Sequence, residues 1–320
     1  MTEPLTLEPR SSTTTGLSPG AARLQIEALT RWYIQREFET ESVEWQQILA
    51  KYSTKISAAL AEADRRASLG TDGSSDAPQD SIERLWGQQW RDNIRLNRDY
   101  FLPQGAAGEY SWGSRAFTMR NAGGTLARIL SLAAVLTDLQ PSTVLEVGSG
   151  DGLNLMFLAS FFPNIQFTGI ELTQAGVDVA RDFQKQSFLP EEMTAMFSQR
   201  AVDRSAFRRI AFGQGSAREL PFPTNHFDVV LTCVALEQME TIRDTALREV
   251  ARVANSWTAM IEPFRDFNAQ GMRRSYIQAY NYFAGNVEDL RSYGLQPLHV
   301  SDDLPQKLNL HAGLVVSRKQ

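Results

Sequence analysis

The sequence predicts a doubly wound α/β fold, with a seven-stranded, mostly parallel sheet and a helical region before it. The first indication is the segment Val144–Val147, a short buried strand followed by glycines at every second position: Gly148, Gly150 and Gly152. A helical pattern begins near Leu153, directly behind this glycine turn. The second indication is the alternation of helical and strand patterns from Ser142 onward, which is typical of a parallel sheet.

Length and composition limit the classes of protein that are possible. The 320 residues allow one large domain or two small ones, and 42% hydrophobic with 22% charged residues is typical of globular proteins. The net charge of −5 argues against general nucleic-acid binding, and the single cysteine, Cys233, excludes an internal disulfide and a cysteine-cluster metal site. Without a membrane-length apolar run or a signal peptide, the expectation is a cytoplasmic protein with no membrane and no bound metal.

The first 120 residues predict a tail and a helical cap. Residues 1–20 are expected to be disordered, and 21–120 to form the cap. An amphipathic helix is indicated by apolar residues at three- and four-residue steps: Trp45, Ile48, Leu49, Tyr52, Ile56 and Leu60. After a predicted loop at 69–80, Ser81 is the expected cap of a helix that contains Trp86 and Trp90. We expect the early tryptophans to pack in a core, with a roof over a substrate pocket as the alternative.

The remaining elements follow in order. A helix is predicted over 125–138, ended by Pro141. The predicted strands are Val144–Val147, Gln166–Glu171, Ile210–Gly213, Phe227–Cys233, Thr258–Glu262, Leu295–Val300 and Leu308–Val316. Helices are expected over 153–161, from a cap at Thr173, over 190–208 and over 243–253. The arginines of 190–208 are expected on a solvated face, with an anionic-partner site as the alternative.

Two acids accompany the glycine turn. Glu146 lies two residues before Gly148, and Glu171 ends the next strand. A carboxylate at a second strand end can accept hydrogen bonds from both hydroxyls of a ribose, and the helix amides behind the turn favour a ligand carboxylate. The spacing is G-x-G-x-G rather than G-x-G-x-x-G, which disfavours a nicotinamide dehydrogenase. A glycine turn without a ligand is the alternative.

This set of glycines and acids resembles the S-adenosylmethionine (SAM) site of class I methyltransferases. The segment Gly215–Phe222 is similar to the family stretch G-D-A-x-x-L-P-F, with Ser216 at the position of the acid, and Phe227–Cys233 matches the F-D-x-V strand. Val234–Met239 resembles V-L-E-H-x, with Gln238 in place of histidine, and the sequence Glu-Pro-Phe at 262–264 resembles the quinone-biosynthesis-like branch. The resemblance covers about 120–318, and it implies a methyltransferase domain over 121–320.

The resemblance also implies SAM as the cofactor and a set of residues that bind it. These are Glu146, Gly148, Ser149, Gly150, Gly152, Glu171, Leu172, Ser216, Ala217, Cys233 and Val234. In the family, the segment before the first core helix folds over the cofactor, so Tyr110 and Trp112 are candidate lid and substrate residues. An aromatic and basic insertion after the fifth strand adds Tyr276 and Tyr280 as candidate substrate contacts.

Two residues are candidate general bases, although structural roles are the alternative for both. Glu237 follows the fourth core strand, and His311 begins the seventh, which is expected to run antiparallel and to start on the ligand side. SAM chemistry needs alignment more than a fixed catalytic signature, because the sulfonium already activates the methyl carbon.

The predicted function is methyl transfer to O, N or C of a small molecule or short peptide, in secondary metabolism or cofactor biosynthesis. An enclosed aromatic pocket favours such an acceptor. The alternatives are a protein methyltransferase and a catalytically silent SAM-binding partner protein. A homodimer is compatible with the sequence, and the helical cap could cover its own site or a partner's.

Overall fold

The computed structural model describes residues 26–68, 79–92, 98–194 and 202–320. The predicted tail, nearly all of the predicted loop at 69–80, and Arg200 lie outside these described residues. The strands are β1 Ile34–Phe38, β2 Ala107–Trp112, β3 Arg115–Arg120, β4 Thr143–Val147, β5 Gln166–Glu171, β6 Ala211–Gln214, β7 Phe227–Cys233, β8 Ala254–Glu262, β9 Leu295–Ser301, β10 Gln306–Lys307 and β11 Gly313–Lys319.

The helices surround these strands in chain order. They are α1 over residues 26–31 of the described range, α2 Val43–Ser68, α3 Gln79–Asp92, α4 Asn121–Leu139, α5 Leu153–Phe161, α6 Gln174–Phe183, α7 Glu191–Thr194, α8 Arg243–Val253 and α9 Gly271–Tyr280. The predicted N-cap of α6 is confirmed, because the Thr173 hydroxyl accepts a hydrogen bond from the Gly176 amide at 3.2 Å.

The main sheet has seven strands in the order β6-β5-β4-β7-β8-β11-β9, which confirms the predicted fold class. All neighbouring pairs are parallel except those of β11, which runs antiparallel to both β8 and β9. The strand order reverses direction between β4 and β7. Doubly wound sheets bind their ligands at this switch point, beyond the carboxyl ends of the strands.

The opposite ends of β4 and β7 are tied together by Asp228. Its carboxylate accepts hydrogen bonds from the Ser142 and Thr143 amides at 2.8 and 3.1 Å, and its own amide donates to the Thr143 hydroxyl at 3.0 Å. These bonds fix the register of the two central strands at the edge away from the switch point. The prediction that Asp228 has a structural role agrees with this position.

Helix α4 is an apolar helix packed against the sheet. By length and composition alone, it is the one helix in the described residues that could cross a membrane, which is weak evidence because 72% of that window is buried inside the protein. A core helix passes the same test. The sequence analysis did not expect any such segment, because it looked for an uninterrupted apolar run.

The region before the main sheet is not only helical, which corrects one prediction. A second, antiparallel sheet has the order β1-β3-β2-β10. Its hairpin β2–β3 occupies the aromatic segment that was predicted as an irregular lid, and Gly113 turns it at a φ of +57°. Tyr110 and Phe117 form a register pair, and their rings stack 6.4 Å apart. Alternation over six residues was too short a signal beside so many glycines.

Three boundaries also differ from prediction. Ser81 lies inside α3, which begins at Gln79, so it is not a cap. The helix predicted over 190–208 is not continuous, because 202–205 are non-helical and the Arg204 guanidinium donates to the Leu189 carbonyl at 2.8 Å. The last strand begins at Gly313 rather than residue 308, and β10 joins the second sheet instead.

Candidate functional site

A cavity of about 690 Å³ lies at the carboxyl ends of β4, β5 and β7, at the switch point of the main sheet. Its wall contains ten of the residues predicted from the sequence: Gly148, Ser149, Gly150, Glu171, Leu172, Ser216, Ala217, Cys233, Val234 and Glu237. These residues come from four separate stretches of the chain. The fold therefore assembles most of the predicted site in one place.

The glycine loop presents bare backbone to this cavity. Gly148, Gly150 and Gly152 have φ values of +76°, +55° and +78°, which side-chain-bearing residues rarely adopt. A Cβ atom on Gly148 would lie 2.6 Å from the Cβ of Ala235, so the neighbouring loop also requires glycine there. The amides of Gly148 and Ser149 donate to the Ile170 carbonyl at 2.8 and 3.0 Å, which holds the loop against the end of β5.

Glu171 braces the same loop from the end of β5. Its Oε2 accepts from the Gly150 amide at 3.1 Å, and its Oε1 accepts from the amide and hydroxyl of Thr173 at 3.1 and 2.9 Å. A carboxylate has about four acceptor positions, so Glu171 can still accept from a ligand at Oε2. The side chain lines the cavity while it stabilises the glycine turn.

Two predicted binding residues support the loop from behind instead of facing the cavity. Glu146 is fully buried, and its Oε1 accepts from the Asn154 side-chain amide at 2.7 Å. Gly152 packs against Phe212, whose Cζ atom would lie 2.5 Å from a Cβ on that glycine. Neither residue is part of the cavity wall. The structure therefore gives both residues a supporting position.

One side of the cavity is formed by α3. Trp86 and Trp90 stack with ring centroids 5.4 Å apart, and both line the cavity together with Gln89 and Asp92. Trp45, in contrast, is buried in a separate cluster, and Trp32 is 74% exposed. The alternative prediction of a tryptophan roof therefore fits two of the four early tryptophans.

The loop after β7 is held by a buried carboxylate. Glu262, at the end of β8, accepts at Oε1 from the amides of Ala235 and Leu236 at 3.0 and 3.1 Å. Burial raises the pKa of Glu262 to about 8, partly offset by those two amides. Val234 has a φ of +54°, which is unusual for a β-branched residue, so this loop is constrained where it faces the cavity.

Glu237 is the buried acid of the cavity. Its side chain is 8% exposed, its Oε1 accepts from Gln238 Nε2 at 3.3 Å, and its Oε2 has no hydrogen-bond partner within the described ranges. Burial raises its pKa to about 7, although the bond from Gln238 and the charges of Arg128 and Lys307 act in the opposite direction. A carboxyl group with such a pKa can exchange a proton near neutral pH.

The other candidate base, His311, lies outside the cavity wall. Its Nδ1 is 3.0 Å from Arg273 Nη1, and its Nε2 is 3.6 Å from a carboxylate oxygen of Asp302. Burial, and then the charge of Arg273, lowers the pKa of His311 to about 4. A base must reach the proton that it removes, so this position gives the predicted catalytic role no support.

The predicted substrate residues are also placed differently. Tyr110 and Trp112 are buried away from the cavity wall, where they donate to Asn121 Oδ1 at 2.9 Å and to Asp303 Oδ1 at 2.7 Å. Tyr276 lies close to Glu237, whose charge contributes to the raised pKa of its phenol. Tyr280, 44% exposed, packs on Tyr276 with ring centroids 4.7 Å apart, but neither residue is part of the cavity wall.

Sequence reasoning missed Arg128 and Met239, which line the cavity. Arg128 is the only charged residue between Asn121 and Thr137 of α4, and it sits between the buried Ala127 and Ile129. An isolated charge on a buried helix was the available signal, because such charges usually have a specific partner. As for metals, the described ranges contain no group of three or more histidine, cysteine or acidic side chains that could hold an ion.

The comparisons with known proteins agree with this fold and site. Residues 145–257 match the family model described as a methyltransferase domain. A segment of 120 residues is 32% identical to the fatty-acid O-methyltransferase of Mycolicibacterium smegmatis, covering 38% of this chain and 36% of that protein. Another, of 108 residues, is 28% identical to the ubiquinone/menaquinone biosynthesis C-methyltransferase UbiE of Azotobacter vinelandii, covering 34% and 38%. The chain thus matches little more than a third of the length of these relatives.

Among solved structures, the [4+2]-cyclase SpnF is similar in fold, with a TM-score of 0.51, 18% sequence identity, and coverage of 75% of this chain and 95% of that one. The strand order, the glycine loop and the family match together define a class. This chain contains a class I, SAM-dependent methyltransferase domain.

Proposed function

We propose that this protein transfers the methyl group of SAM to a small-molecule acceptor. The observation that carries the proposal is the cavity itself, which joins the glycine loop and Glu171 to the buried acid Glu237. Cofactor-binding and acid–base groups therefore share one enclosed space. Such an arrangement suits a reaction in which two small reactants are held in line.

The fit of the residues to SAM rests on the open glycine backbone and on the acceptor position that Glu171 retains. In the proposal, the loop 148–150 holds the methionyl part, Glu171 accepts from the ribose, and Leu172 and Ala217 border the adenine. Ser216, where the family has an acid, offers only a hydroxyl, and its Oγ already accepts from the Arg218 amide at 3.2 Å. Bound SAM would supply a methyl group on a positively charged sulfur.

The other residues in the wall would prepare the acceptor. We assign Glu237 as the general base for an acceptor that must lose a proton, because its free Oε2 lies in the cavity wall and its pKa is near 7. The stacked pair Trp86 and Trp90 would exclude water and hold an apolar acceptor. The tyrosines of α9 would support Glu237 from outside the cavity.

The acceptor class is argued from the size of the cavity and from the relatives. A cavity of about 690 Å³ with tryptophans on one side suits a small molecule better than a folded protein. The names of the relatives refer to fatty acids and to quinone biosynthesis. We therefore place the acceptor among small, partly apolar metabolites of secondary metabolism or cofactor biosynthesis. Cytoplasmic location and self-association stay predictions.

The fold alone does not fix the reaction, because a [4+2]-cyclase has a similar fold. The first experiment is calorimetric titration of the full chain with S-adenosylhomocysteine, with NADH as the control. Micromolar binding of the first compound alone supports the cofactor assignment. The second experiment measures S-adenosylhomocysteine formed from SAM across a set of small hydroxyl, amine and carboxylate acceptors. Cofactor binding without turnover on any of them would favour the silent partner protein.

A further inference from the structure

The cavity has a cationic side that the cofactor assignment does not use. Arg128 reaches the cavity wall from α4 and is half-buried, and its Nη2 donates to the Thr125 hydroxyl at 3.3 Å. Within the described part of the chain, no carboxylate forms a salt bridge with this guanidinium. A half-buried guanidinium that has donors to spare is a common recognition element for planar anions.

A second cation, Lys307, lies close to Arg128. It belongs to the two-residue strand β10 and is in register with Tyr110 of β2. The Tyr110 ring packs against Gly124, one helical turn before Arg128: a Cβ on Gly124 would lie 3.1 Å from Tyr110 Cε1. This chain of contacts brings β10, which lies outside the main sheet, next to the cavity. Lys307 is exposed to solvent, and no salt bridge joins it to a described acid.

The balance of charge around these two cations is positive. Surrounding protein, and then the charge of Arg128, lowers the pKa of Lys307, whereas Glu237 opposes this change. Glu237 is the acid that both cations act on, and with a pKa of about 7 it carries only part of a negative charge at neutral pH. The acids Asp151 and Glu171 are engaged at the glycine loop by the amides of Leu153 and Gly150. Two like charges held together without a full counter-charge favour an anionic ligand.

We infer that the acceptor carries a carboxylate group, which Arg128 and Lys307 bind at the Glu237 side of the cavity. The inference rests on the proposed function and adds the chemical class of the acceptor. A guanidinium binds a carboxylate through two parallel hydrogen bonds, and the ammonium adds a third. Glu237, when protonated, can donate a further hydrogen bond to the same group. The carboxylate of the cofactor is the competing occupant, and the experiment separates the two.

The test measures binding to full-length protein saturated with S-adenosylhomocysteine. The probes are matched pairs of a carboxylate and its neutral amide, octanoate with octanamide and benzoate with benzamide. The variants are Lys307→Met, Arg128→Met and the charge-keeping Lys307→Arg. Lys55→Met, on the exposed face of α2, is the control for removing a lysine. Affinity for S-adenosylhomocysteine is measured separately for every variant.

We expect at least one carboxylate to bind about tenfold or more tightly than its amide, because a charged hydrogen bond is lost in the amide. Lys307→Met and Arg128→Met should remove this preference and leave affinity for S-adenosylhomocysteine unchanged, and Lys307→Arg should retain the preference. No preference for any carboxylate in the unmodified protein overturns the inference. A loss of S-adenosylhomocysteine affinity in the two variants also overturns it, because the cations would then bind the cofactor. Failure of the unmodified protein to bind S-adenosylhomocysteine would refute the proposed function instead.

Discussion

Replacing Glu237 by glutamine should make the protein more stable at alkaline pH and leave its stability unchanged near pH 4.5. Glutamine has nearly the same shape, and its carbonyl can still accept the hydrogen bond from Gln238. The substitution removes only a charge from a side chain that is 8% exposed. It can be tested before any acceptor is known, because it needs no activity assay.

The magnitude follows from the pKa of Glu237. The folded protein raises it from an ordinary 4.5 to about 7, so the folded state binds the proton more tightly than the unfolded state. Stability is therefore highest below pH 4.5 and is lost as the pH rises through 4.5 to 7. The loss is about 3 kcal/mol at most, at roughly 1.4 kcal/mol per pKa unit. Glu237→Gln should recover most of that amount above pH 8.

The assay is urea unfolding of both proteins at several pH values between 4.5 and 9, compared as a difference at each pH. Glu262 contributes a dependence of the same sign to both proteins, so the difference mainly reports Glu237 and its repulsion of Glu262. Glu39→Gln, at an exposed position, is the matched control and should show no such difference. Parallel stability curves for Glu237→Gln and the unmodified protein over the whole range would refute the reasoning.

Three further predictions concern the loops around the cavity. Gly148→Ala should weaken binding of S-adenosylhomocysteine by about tenfold or more in calorimetry, because its Cβ would lie 2.6 Å from Ala235; Gly294→Ala, at a similar φ of +74° with open space around it, should bind normally, and equal effects would contradict this. Glu171→Ala should cost about 2–4 kcal/mol of cofactor affinity and also lower the unfolding midpoint, since Gly150 and Thr173 lose their acceptor; unchanged affinity would show that the ribose lies elsewhere. Glu262→Gln should stabilise the protein above pH 8 and not at pH 4.5 in the same urea assay, because burial raises the pKa of Glu262 from 4.5 to about 8 and glutamine keeps an acceptor for Ala235 and Leu236; a loss of stability at both pH values would mean that the carboxylate itself is required.

Local sequence patterns predicted the main sheet well. Strands β5 and β7 and helices α5 and α8 have the predicted ends, because each is a run of regular apolar spacing closed by a glycine, a cap or a turn. The second sheet was missed for the opposite reason. Its strands are two to six residues long, and β10 pairs with β2 across almost two hundred residues, which no local pattern can indicate.

The sequence by itself determined the cofactor side of the site. The positive φ angles at Gly148, Gly150 and Gly152 require glycine, and Glu171 must end the neighbouring strand to brace them, so short-range chemistry predicts this corner of the fold. Only the tertiary structure decided the acceptor side. It brought Arg128, Lys307 and Glu237 together from three distant elements, and it placed His311 behind Arg273. Charge and burial in a cavity depend on which surfaces pack against each other, and this information is not contained in any one stretch of chain.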